Sequence, residues 1–252
     1  MITMFRAWTG RGRTALAVAA LACLLPGVSA AHEPLAAQAV LVFGGSGQLG
    51  AEIVRELVGE GHDVVAFVRP SSDRKRIAGL PVKLIEGDVR VESDVQRALQ
   101  SRRFNVVINA LGRSESDVGF YATSGRHIAR WAAATGVEQV ILHSSVGVGR
   151  SAAVYPPQRL ASMRALFDAK EVAESELVRS GVSYTIIRNA VLRDLAPGAT
   201  DGAQLVEGET AFGVVTRRGL ARLTRECLRS TACGNRVFHA IDNGIKWPEA
   251  AR

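Results

Sequence analysis

The sequence predicts an α/β protein built on one doubly wound parallel sheet with helices on both faces. Three observations predict it. Short apolar runs alternate with helical patterns down most of the chain, which is how a parallel sheet with crossover helices reads. The first run, Val40-Leu41-Val42-Phe43, leads directly into three glycines and then an amphipathic segment. The 252 residues, 47% hydrophobic, suffice for one full core, and no repeat, low-complexity run or linker divides residues 37–245.

Ahead of the sheet lies a segment of a different kind. Arg6, Arg11 and Arg13 precede an uninterrupted apolar run over residues 15–25, followed by Pro26-Gly27-Val28-Ser29-Ala30-Ala31. This is the layout of a secretory signal peptide: the run is too short to span a bilayer comfortably, and Val28-Ser29-Ala30 offers the small residues a signal peptidase needs. Residues 1–31 are therefore expected to direct export to the periplasm, or to anchor the protein to a membrane if uncleaved. An over-long gene start would instead leave a cytoplasmic protein. Arg11-Gly12-Arg13 is not a twin-arginine pair.

Residues 40–43 make the first strand. Leu49, Ile53, Val54, Leu57 and Val58 carry the helical period that follows, which Gly59 and Gly61 end. The second strand covers 64–68 and a short third covers 82–85, after which Val91, Val95, Ala98 and Leu99 mark a helix. The fourth strand covers 105–111. Tyr121, Ile128, Trp131, Ala132 and Thr135 lie along a helix that closes at Gly136, and a fifth strand at 140–142 ends in His143-Ser144-Ser145. A long helix is expected over 166–179, a sixth strand over 183–188 and a seventh over 237–240. Residues 194–210, rich in Gly and Pro with weak periodicity, read as an irregular substrate loop or lid, and 246–252 as a tail.

The formal charge of +7 falls by three with the leader arginines, a modest surplus that bears on solubility and does not imply nucleic acid. Arg218, Arg222, Arg225 and Arg229 recur at helical spacing and read as one solvated face, with an anionic partner or membrane surface as the alternative. Cys227 and Cys233 read either as a small-loop disulfide in an oxidising compartment or as two small apolar residues. The five histidines form no ligand-spaced cluster, so no metal is expected.

The stretch from Val40 to Gly50 has the chemistry of a dinucleotide site. Gly44 takes the tight turn out of the strand, Gly47 lets the backbone approach a pyrophosphate, and Gly50 lets helix and strand pack closely. The phosphates then rest on the helix N-terminus, with Ser46, Gln48 and Leu49 completing the loop around them. The G-x-x-G-x-x-G spacing points to the short-chain dehydrogenase branch of Rossmann proteins. Phe67-Val68-Arg69-Pro70-Ser71-Ser72 ends the second strand without an acid to bond the adenosine ribose. Arg69 can stack on adenine and pair with a 2′-phosphate, Ser71 and Ser72 can donate hydrogen bonds, and Arg74 and Lys75 add positive field. NADP(H) is therefore expected over NAD(H).

With these motifs in order, residues 39–242 resemble the atypical short-chain dehydrogenase/reductase family, in particular its NAD(P)H-binding, NmrA-like and flavin-reductase-like members. The resemblance rests on GGSGQLG at 44–50, FVRP at 67–70, EGDV at 86–89, INALG at 108–112, HSSVG at 143–147 and AKEVAESELVRSGVSYTIIR at 169–188. It implies that Asp88 and Val89 contact the adenine, that Asn109, Ala110 and Gly112 line the ribose side, and that Ser144 and Ser145 sit near the nicotinamide. The chain departs from the family at the catalytic tyrosine. Lys170 matches the family lysine, but the residue four before it is Leu166, which has no proton to give.

Two ways of working remain. Lys170 would hold the ribose hydroxyls and itself donate the proton, or hydride would pass to a flavin or quinone that needs no enzymic acid. The structural alternative for Lys170 is a surface ion pair with Glu174. Tyr155 is a second candidate acid, although Pro156 and Pro157 place it in a loop where packing is the stronger expectation. Ser145 is a further catalytic candidate, and His143 reads as a core residue. Arg188-Asn189-Ala190 stands where the family has Arg-Pro-Gly, so substrate preference does not transfer. The expected function is an NADP(H)-binding oxidoreductase that passes hydride to a small organic, flavin or quinone acceptor. The alternative is a non-catalytic NADP(H)-sensing or assembly protein; oligomeric state is left open.

Overall fold

The computed structural model describes residues 36–112, 117–196 and 199–246, so the leader and most of the C-terminal tail lie outside the described residues. β1 (Ala39–Phe43), β2 (Asp63–Val68), β3 (Lys83–Glu86), β4 (Val106–Asn109), β5 (Gln139–Ser145), β6 (Ser183–Asn189) and β10 (Arg236–Asp242) run parallel in one sheet. The helices are α1 (Gln48–Gly59), α2 (Glu92–Gln100), α3 (Gly119–Ala134), α4 (Pro157–Arg179) and α5 (Arg217–Glu226). The order β3-β2-β1-β4-β5-β6-β10-β8, with β8 (Ala203–Val206) antiparallel at the edge, reverses direction between β1 and β4. That reversal opens a crevice at the carboxyl ends of the strands, which is where ligands bind in such sheets.

β1 is apolar at every position because both of its faces are covered. Val40 and Val42 face Ile53, Val54 and Leu57 of α1 and Leu220 and Leu223 of α5. Leu41 and Phe43 face the other way, toward Val95 and Leu99 of α2, Ile128 of α3 and Leu177 of α4. Each fully buried large side chain contributes about 1.5–3 kcal/mol, so these two cores hold the carboxyl ends of the strands in register beneath the site. α1 stops where predicted, with Gly61 at φ +81° and the His62 N–H closing back onto the Leu57 carbonyl.

The structure corrects the sequence reading in three places. α4 begins at Pro157 rather than near 166, because a proline at the first helical position has its φ already set and loses no hydrogen bond there. Residues 194–210 are not wholly irregular: β8 lies among them and pairs with β10, while β7 (Val191–Arg193) and β9 (Val214–Thr216) form a separate parallel pair. These strands have three or four residues each, too few to carry an alternating pattern. Of the four arginines expected on one face, only three lie on α5, and Arg229 follows it at φ +53°. Arg222 pairs with Asp201 and Glu226, Arg225 with Glu56, and Arg229 with Glu138, so three of the four serve ion pairs within the protein, while Arg218 is exposed.

Cys227 and Cys233 form a disulfide. Gln139, buried at the start of β5, holds the loop between them: its amide donates to the Cys227 carbonyl and accepts from the Arg229 N–H. Among the described residues no helix is long and apolar enough to cross a membrane.

Candidate functional site

The glycine loop is shaped by contacts that leave no room for side chains. Gly44 sits at φ +80°, and a Cβ there would lie 2.7 Å from the Ala110 carbonyl oxygen at the end of β4. A Cβ on Gly50 would lie 2.1 Å from the Gly44 carbonyl oxygen, so the first turn of α1 rests directly on the loop. Gly47 caps α1 without a side-chain hydrogen bond, and the first turn carries no acid. The N–H groups of Gln48, Leu49 and Gly50 therefore have no partner within their own helix and no negative neighbour in that turn. This cradle suits a pyrophosphate. Ser46 is half-buried beside it, and Gln48 is exposed.

On the turn after β2, Arg69 and Ser71 are exposed. Arg74 is committed to Glu86, at 2.5 Å, which leaves Arg69 and Lys75 as the positive groups that Glu86 does not occupy. The Asp88 carboxylate is taken by Arg90, which holds it below the usual carboxylate range with Arg69 adding to the effect. The Asp88 backbone is engaged as well: its N–H donates to Asp94 Oδ2 and its carbonyl accepts from the Val91 N–H, both at 2.9 Å. Val89 is buried, and its carbonyl lies 2.9 Å from His127 Nδ1, tying this loop to α3.

Asn109 is buried and accepts from the Leu111 N–H, which shapes the turn carrying Ala110 and Gly112. The Gly112 carbonyl accepts a 2.9 Å hydrogen bond from the Tyr121 hydroxyl of α3. Over that tyrosine ring sits the Lys170 ammonium of α4, 4.5 Å from the centroid. Burial pushes the Lys170 pKa down to about 8, while Glu174 one turn later acts to raise it. Leu166 is half-buried one turn before Lys170.

β5 supplies its carboxyl end. Ser144 is 2% exposed, and among the described residues its Oγ has no hydrogen-bond partner. An orphaned buried hydroxyl is costly, and a polar group of a bound cofactor would satisfy it. Ser145 is half-buried next to it. His143 points to the other face, where its Nε2 meets Thr224 Oγ1 at 3.1 Å. That hydroxyl already donates to the Leu220 carbonyl, so Nε2 carries the proton and donates. Burial, with Lys170 adding to it, drives the His143 pKa to about 3, so it stays neutral.

Tyr155 follows a 3₁₀ turn in extended backbone, as its prolines require. Its ring packs against Phe167 at 5.4 Å and Phe212 at 4.9 Å, and burial pushes its phenol pKa up. This is a packed aromatic cluster. Glu174 does not pair with Lys170 on the surface. It is buried, and its carboxylate takes both Nε and Nη2 of Arg188, at 3.1 and 2.7 Å.

Sequence reasoning missed Tyr121, Glu174 and Arg188 as parts of the site. Tyr121 looked like any apolar helix position, and only the packing of α3 on α4 brings its ring to Lys170. A groove of about 740 Å³ opens past the carboxyl ends of β7 and β10, bordered by Arg193, Asp194, Thr216 and Lys246. It borders the stretch expected to carry the substrate loop.

Comparison with known proteins agrees with this geometry. A family model described as NAD(P)H-binding matches residues 44–231. A segment is 42% identical over 60 residues to sterol demethylase protein B of Methylococcus capsulatus, covering 24% of this chain and 18% of that protein. The chain thus spans less than a fifth of that curated relative. The anaerobilin reductase ChuY of Escherichia coli O157:H7 superposes with a TM-score of 0.72 at 26% identity, over 83% of this chain and 99% of that one. A short-chain dehydrogenase/reductase from Veillonella parvula, solved in complex with NADP, gives a TM-score of 0.66 at 18% identity, over 83% and 98%.

Proposed function

The chain belongs to the NAD(P)H-binding family, and from that premise we propose a reductase that prefers NADP(H) over NAD(H) and serves a small organic, flavin or quinone acceptor. One observation carries the reading. Lys170, with a pKa near 8, faces the Gly112 turn through Tyr121, at the same edge of the sheet as the glycine loop. When bound, the nicotinamide supplies a hydride. The α1 N-terminus holds the pyrophosphate, and Arg69 meets the 2′-phosphate as a charge-assisted donor. Ser144 offers its orphaned hydroxyl to the nicotinamide end. The Lys170 ammonium bonds the ribose hydroxyls and, with its lowered pKa, releases a proton near neutral pH.

His143 cannot share that task, since it is already neutral and faces the other side of the sheet. Leu166 closes the usual route through a phenol, which favours acceptors that need little acid help. The likeness to an anaerobilin reductase over nearly its whole length supports reduction as the chemistry. The disulfide supports export of the mature domain, since such bonds persist in oxidising compartments.

Titration of purified protein with NADPH and NADH, followed by NADPH oxidation with FMN or menadione, tests the proposal. NADPH should bind more tightly, and Arg69→Ala should cost about tenfold in NADPH affinity while sparing NADH. No NADPH binding at millimolar concentration sinks the reading. Binding without oxidation across both acceptors moves the protein to the sensing class.

A further inference from the structure

The family's usual arrangement keeps tyrosine and lysine one turn apart on one helix, and Leu166 removes that tyrosine here. We infer that Tyr121, supplied by α3, is the positioning residue for Lys170: its ring face seats the ammonium and its hydroxyl fastens the pair to the Gly112 carbonyl at the end of β4. The inference rests on the reading of Lys170 as the group that meets the cofactor ribose.

Three features of the structure support it. The ammonium lies 4.5 Å from the centroid of the Tyr121 ring, well inside the range in which the ring quadrupole attracts a cation. Tyr121 is 8% exposed, so water competes little for that attraction. Its hydroxyl donates 2.9 Å to Gly112, so the ring cannot swing away without losing a hydrogen bond. A lysine stem alone has four rotatable bonds and would wander. The ring that seats the ammonium is itself fastened to the Gly112 turn at the end of β4.

The other charged groups around Lys170 do not supply this hold. On α4 itself, Glu174 is turned to Arg188 of β6, and Glu171 is exposed. On β5, His143 is neutral. On α3, Arg126 is drawn to Glu176. The ring face remains as the group that both touches the ammonium and favours its charged form. Loss of the ring should therefore lower the Lys170 pKa further, and loss of the hydroxyl alone, which only fastens the ring, should lower it by much less.

The test reads the lysine directly in cofactor-free protein, so it does not depend on turnover. Proteins labelled with ¹³C at the lysine ε-carbon are titrated by NMR, with Lys170→Met assigning the signal. Tyr121→Leu is expected to move the Lys170 midpoint down by about one pKa unit, and Tyr121→Phe to leave it within about 0.3 unit of the parent. Where the leucine variant does not fold, Tyr121→Met takes its place. A midpoint that stays put without the ring overturns the inference, as does a phenylalanine variant that shifts as far as leucine. If the parent protein proves inactive with FMN and menadione but these shifts appear, the reductase reading fails and the positioning role stands.

Discussion

Replacing Glu174 by Gln tests the interior of the site. The Glu174 and Arg188 side chains are 8% and 10% exposed, and two charge-assisted hydrogen bonds, 3.1 and 2.7 Å, join them. Arg188 lies in register with Ser144 on β5 and with His239 on β10, on the sheet face that α4 covers. His239 brings no negative charge, and its Nδ1 is occupied with the Ala211 carbonyl. Glutamine would keep the volume and one acceptor but leave the guanidinium without a counter-charge. Breaking a buried pair from one side costs about 3–5 kcal/mol, a large share of the roughly 5–15 kcal/mol that holds a domain folded.

At about 2–4 °C per kcal/mol for a domain of this size, the melting temperature should fall by about 10 °C. Urea unfolding gives the free energy. Glu176→Gln is the control, since its partners Arg126 and Arg179 are on the surface and it should cost at most about 1 kcal/mol. The double variant Glu174→Leu with Arg188→Met should recover most of the loss, because no charge is then stranded. Glu174 also acts to raise the Lys170 pKa, so the glutamine variant should titrate that lysine below about 8. A loss under about 1 kcal/mol, or a double variant as unstable as the two single losses added, would refute the reasoning.

Two further outcomes are expected. Gly50→Ala should destabilise by about 1–3 kcal/mol and weaken NADPH binding at least about tenfold, because its Cβ meets the Gly44 carbonyl, which has no side chain to yield; Gly59→Ala, with nothing within 4 Å, should be neutral or stabilising, and equal NADPH titrations for both variants would count against the cradle. Reducing the Cys227–Cys233 disulfide closes off a loop constraint worth about 2 kcal/mol for a separation of 6 residues, so the urea midpoint should fall with phosphine reductant and an unchanged midpoint would contradict it.

Much of this protein is written in local chemistry. Apolar strands buried on both faces, helices of period 3.6 and glycines at forced turns each depend on near neighbours in the chain, so the parallel sheet and the glycine turn after β1 were legible residue by residue. Lys170 was legible too, as a lysine one turn past a leucine. Its environment was not. Tyr121 reaches it from another helix, Glu174 turns from it to Arg188 on a strand, and Asp88 and Arg74 spend their charge on Arg90 and Glu86. The short strands β7, β8 and β9 likewise exist only because a partner strand or sheet edge lies beside them. Periodicity and backbone freedom, both readable along the chain, fix the fold and the glycine turn that follows β1. The tertiary structure decided which charges remain available there and what seats the lysine, because a side chain's partners and burial depend on residues far away in the chain.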